Sequence, residues 1–87
     1  MEQVLVHERV VTRHPEVTEA DVQQAWRNAF ALLERVGGPY GTLIALGADG
    51  SGRVLEMIGT RTTDGSIMIY HALTPPTRAF LNEMGLR

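Results

Sequence analysis

Two Asp-Gly pairs, Asp49-Gly50 and Asp64-Gly65, each set between apolar runs, constrain this chain more than any other feature. Asp-Gly in that setting is a strong hairpin signal, because both residues tolerate the positive φ that a tight reversal between strands requires. The pattern predicts three strands, from Thr42 to Leu46, Arg53 to Arg61 and Ile67 to Leu73, with turns at 47–52 and 62–66. Joined this way they form an antiparallel meander. Strict alternation puts Ile67, Ile69, His71 and Leu73 on one face of the third strand, and Met68, Tyr70 and Ala72 on the other.

Ahead of the strands lies a helical pattern. Thr18 is a good N-cap, and Glu19 and Asp21 in the first turn face the positive end of the helix dipole. Val22, Ala25, Trp26, Ala29, Phe30 and Leu33 follow at i, i+3, i+4, i+7, i+8 and i+11, one apolar stripe reaching towards Arg35 and stopped by Gly37-Gly38-Pro39. Trp26 and Phe30 read as core on that stripe. Residues 1–14 fit either a helix or a strand, Val4 and Val6 suiting a strand and Glu2, Gln3, Glu8 and Arg9 favouring a helix; they read as a further helix, ended by Pro15. Near the other end, Thr74 as N-cap and Pro75 at the first helical position open a short helix carrying Ala79, Phe80, Leu81 and Met84. The expected fold class is α+β, a small single domain over residues 1–87. A three-stranded antiparallel β-meander packs against a long amphipathic helix, with short N- and C-terminal helices.

With 87 residues, 44% of them hydrophobic, the chain is suited to one packed core of modest size. Dimerisation or a stable partner is a way for such a core to bury more apolar surface. There is no cysteine, hence no disulfide and no thiolate metal site. The net charge of -2 argues against a global nucleic-acid footprint, although all eight basic residues are Arg, the better bidentate phosphate ligand. No apolar run approaches a membrane span and no signal peptide is apparent, so a soluble, cytoplasmic protein without a membrane partner is expected.

Few residues carry chemistry. The loop from Gly47 to Gly52 lacks a Walker Lys and lies between antiparallel strands, so it is a turn and not a phosphate cradle. His7, His14 and His71 show no metal-binding spacing, and His7 reads as a surface residue. His14, at the break before the long helix, and His71, inside the third strand, are able to exchange protons near neutral pH. Across the hairpin, His71 faces Ile58 if the turn has two residues and Glu56 if it has four; a Glu–His pair in the second case would orient the ring. Arg61, ending the second strand, and Arg78, early in the last helix, are the anion-binding candidates.

The order of these pieces is a polar Arg13-His14 break, Val17-Thr18 through Asp21-Val22 opening a helix, then Gly52-Arg53-Val54-Leu55-Glu56, Thr60-Arg61, and a strand reaching Tyr70-His71-Ala72. It resembles the BrnT-like toxins of bacterial type II toxin–antitoxin systems over most of residues 9–80. The resemblance implies a compact α+β fold similar to RelE and an endoribonuclease that needs no metal or other cofactor, with the ribose 2′-OH attacking the adjacent phosphate. It implies RNA as substrate and a DNA-binding cognate antitoxin as partner. Carried onto this chain, it implies His14, Arg61, His71 and Arg78 as catalytic residues. The chain departs from the family pattern where Pro15-Glu16 replaces a glycine and where His71-Ala72-Leu73 replaces Ser-Ala-Arg. A non-catalytic interaction domain of the same fold, a homodimer among its forms, is the alternative expectation.

Overall fold

The computed structural model describes residues 3–86, and its centre is a five-stranded mixed sheet in the order β1-β5-β4-β3-β2. The expected hairpins are present: β3 (Thr42–Ala48), β4 (Val54–Arg61) and β5 (Ile67–Leu73) form successive antiparallel pairs. The expected three-stranded meander is nonetheless too small by two strands, one at each edge.

The first added strand, β1 (Val4–Val6), pairs parallel to β5, opposite Ile67–Ile69, and makes the sheet mixed. Its β-branched residues suit a strand. Helix α1 (Glu8–Arg13) begins only after it, with the His7 side chain capping the Arg9 N–H. The expectation of one helix over residues 1–14 is therefore wrong for its first half; positions 1 and 2 lie outside the described residues.

The second added strand falls where the long helix was expected. Helix α2 (Glu19–Arg27) starts as the sequence predicts, in a capping box of Thr18 and Asp21. It stops at Asn28, and Ala29–Glu34 runs on as β2, antiparallel to β3. The reason lies in β3, whose first six residues are all buried. A buried strand has no water for its backbone groups, so its free side needs a partner strand, and this requirement outweighs helical propensity. The cost shows in Phe30 and Leu33, which a continuous helix would have buried and which are 61% and 46% exposed. Trp26 is core as expected; Phe30 is not.

Helices cover both faces of the sheet. Val10 of α1 and Val22, Ala25 and Trp26 of α2 pack with Leu43, Ala45, Leu55, Met57, Ile67 and Ile69 on one face. On the other, Phe80 and Met84 of the C-terminal helix region meet Ile44 and Leu46. Helix α3 (Arg78–Glu83) is capped by Thr77, three residues later than expected, so Thr74 and Pro75 precede the helix. The approach of α2 to β3 depends on Gly47, where a Cβ would stand 1.9 Å from the Ala25 carbonyl oxygen.

Candidate functional site

A change of register in the β4–β5 pair builds the site. Gly59 faces Ile69 and Ile58 faces His71, leaving Tyr70 as an extra residue on β5. This bulge interrupts the alternation. Ile67 and Ile69 therefore share a core with Ala72, whereas His71 and Leu73 join the face of Glu56, which stands opposite Leu73. The expectation that His71 and Leu73 share the face of Ile67 and Ile69 fails at this bulge. Neither simple turn length applies, yet the Glu–His pair forms along a diagonal.

Glu56 is a buried carboxylate, 4% exposed, with its hydrogen-bonding capacity in use. Its Oε1 accepts from the Thr77 backbone N–H at 2.7 Å and the Thr77 hydroxyl at 2.9 Å. Its Oε2 lies 2.8 Å from His71 Nε2. The contact engages Nε2 and leaves Nδ1 as the ring nitrogen without a partner from Glu56. The same carboxylate thus orients an imidazole and anchors the N-cap of α3.

His14 stands beside His71. It caps the C-terminus of α1 through its N–H to the Val10 carbonyl, and its own carbonyl accepts from Val17 N–H. The two imidazoles meet edge to face, with centroids 6.5 Å apart and planes at 90°. That spacing is too long for a ring-to-ring hydrogen bond and short enough for both rings to reach one small polar group. Side-chain exposures of 29% for His14 and 31% for His71 leave both accessible. His14 Nδ1 is also 3.8 Å from the Glu16 carboxylate, a loose surface pair.

The loop carrying His14 is tied to the sheet through Arg53. That guanidinium donates to Asp49 Oδ2 at 2.8 Å, Asp21 Oδ2 at 3.1 Å and the Glu16 carbonyl at 3.0 Å. Asp49 also accepts from the Ser51 and Arg53 backbone N–H groups and the Ser51 hydroxyl. Burial pushes the Asp49 carboxyl up, but the hydrogen bonds from Arg53 and Ser51 overcome it and hold the group at about 2. The Arg53 guanidinium is raised in turn, chiefly by its hydrogen bond to Asp49.

Of the four residues expected to be catalytic, His14 and His71 come together. Arg78 follows Thr77 directly, is exposed, and lines a cleft with Pro76, Leu81 and Asn82. Arg61 is at the other end of β4, five residues from Glu56, or roughly 17 Å along a strand. There it lines a separate cleft with Tyr40 and Thr62. Sequence reasoning missed Thr77, Asp49 and Arg53 as parts of the site's support. Thr77 was legible as an N-cap three residues before Phe80, and Asp49 with Arg53 as an acid–base pair four residues apart across a turn.

Among the described residues no group of three His, Asp or Glu side chains is placed to hold a metal ion. No described helix is long and apolar enough to cross a membrane. No family model, no curated protein and no solved structure matches the chain.

Proposed function

We propose that this protein is an endoribonuclease of the toxin type, cleaving RNA through the His14–His71 pair without a metal ion. The observation that carries the reading is the edge-to-face pair of accessible imidazoles, one of them fixed by a buried carboxylate. In the proposed reaction His71 Nδ1 takes the proton of a ribose 2′-OH while Nε2–H stays bonded to Glu56. The 2′-oxygen bonds to phosphorus, the bond from phosphorus to the 5′-oxygen breaks, and His14, entering protonated, gives that oxygen its proton. The products are a 2′,3′-cyclic phosphate and a 5′-hydroxyl. Arg13, next to His14, and Arg78, next to Thr77, take part in no ion pair among the described residues, and are proposed to contact phosphate. The proposed reaction uses no group at the far end of β4, where Arg61 lies. A toxin of this type would be neutralised by a cognate DNA-binding antitoxin.

The test is inducible expression in a bacterial host, wild type beside His71→Ala, following growth and total RNA. Losing one proton-transfer group lowers the rate about 10²–10⁴-fold, so the wild type should arrest growth and degrade RNA while His71→Ala does neither. Normal growth with intact RNA, from soluble and folded wild type, contradicts the reading. It would favour the alternative, a non-catalytic interaction domain, for which the exposed apolar residues of β2 speak.

A further inference from the structure

The outer edge of β2 is unlike the rest of the surface. Phe30, Leu32 and Leu33 are 61%, 52% and 46% exposed, and Val36 and Tyr40, in the connection to β3, are both 98% exposed. β2 is the last strand of the sheet, with no neighbour beyond it among the described residues. The Arg35 N–H bonds to the Thr42 carbonyl, so by alternation the Leu32 and Glu34 backbone groups point away from β3, out of the sheet edge. An edge that is long, apolar and open is a template for strand pairing unless something covers it.

We propose that β2 pairs antiparallel with β2 of a second copy of this chain, joining two five-stranded sheets into one across a two-fold axis. Three observations favour a second copy over a different occupant. The exposed apolar side chains lie on both faces of the sheet: Leu32 is in register with Ala45, on the α1–α2 side, and Leu33 with Ile44, on the α3 side. A helix docks against one face, whereas a strand carrying apolar residues on both faces matches this pattern, and β2 is such a strand. Glu34 is the one charged residue of β2, and an antiparallel copy centred on Leu32 sets it opposite Phe30 of the second copy, so no like charges face each other across the two-fold axis. Apart from Leu86, the large exposed apolar side chains among the described residues all lie in β2 or its connection to β3, so the apolar surface that a second copy would cover is gathered at this one edge.

The interface lies on the opposite edge of the sheet from β1 and is independent of catalysis. Sedimentation equilibrium of the whole chain should give twice the 9.6 kDa chain mass. Leu32→Lys and Phe30→Lys, both at exposed positions, should return it to 9.6 kDa with an unchanged far-UV circular dichroism spectrum. Because the chain has no cysteine, Leu32→Cys adds a single thiol, which a short bis-maleimide should link to its counterpart in the second copy. A monomeric wild type overturns the proposal and leaves the edge to a different protein. So does a dimer that survives both Lys substitutions, or one in which the thiol of Leu32→Cys does not cross-link.

Discussion

Asp49→Asn is the substitution whose consequence can be worked furthest from the structure. The carboxyl sits at about 2 in the folded protein against an ordinary 3.8. A depressed carboxylate contributes stability above its unfolded value and loses it as pH falls through its folded value. Here the contribution is complete above about pH 4 and drains away towards pH 2. The difference corresponds to about 2 kcal/mol at neutral pH. Asparagine keeps the oxygen that receives Ser51 and the Arg53 N–H, but sets an amide N–H against the Arg53 side chain, so most of that contribution should vanish. In a domain of this size the melting temperature should fall by roughly 10–15 °C. The assay is urea unfolding of both proteins from pH 7 down to pH 2.5. The gap between them should shrink to roughly a third of its neutral value by pH 2.5 as wild type loses its advantage. A gap that is constant with pH, or below about 0.5 kcal/mol at pH 7, would refute the reasoning. A second readout follows from Arg53: once its bond to Asp49 is lost, the Glu16 carbonyl and Asp21 are held less firmly. The Val17 amide, bonded to the His14 carbonyl, should then exchange its hydrogen faster.

Other substitutions separate support from chemistry. Glu56→Gln keeps the volume and the acceptor for Thr77 but offers His71 an amide in place of a carboxylate; RNA cleavage should fall on the order of 10²–10⁴-fold with the fold intact, by single-turnover kinetics and circular dichroism. Glu56→Ala removes all three hydrogen bonds at once and should cost about 3 kcal/mol or more in urea unfolding. Gly47→Ala drives a methyl into the Ala25 carbonyl and should destabilise by about 3 kcal/mol or prevent folding.

The hairpins were legible because their turn chemistry is local: Asp49 and Asp64 accept from backbone N–H groups two to four residues on, and Gly52 and Gly65 take the positive φ that completes each turn. The start of α2 was legible for the same reason, since Thr18 and Asp21 satisfy each other within one turn. Its end was not. Ala29 to Glu34 carries a helical apolar stripe, and only the unpaired side of the buried β3 turns it into a strand, a requirement set by residues outside the reach of any helical repeat. The short β1 was hidden likewise, being stabilised by pairing with Ile67–Ile69 at the other end of the chain. At the site, the residue types His14 and His71 drew attention in the sequence, but their meeting depends on the bulge at Tyr70 and on the loop held by Arg53. Neither has a motif. The bulge also decides that Glu56 reaches His71 diagonally while Ile58 stands directly opposite.

The central claim is that His14 and His71 act together on a phosphodiester. Its most direct test is cleavage of a defined RNA by purified protein, with the new ends read by mass spectrometry, for wild type, His14→Ala and His71→Ala. Wild type should leave 2′,3′-cyclic phosphate and 5′-hydroxyl ends, spare DNA of the same sequence, which lacks the attacking hydroxyl, and lose activity on either substitution. Intact RNA after incubation with folded wild type, or cleavage that persists in both variants, would contradict it.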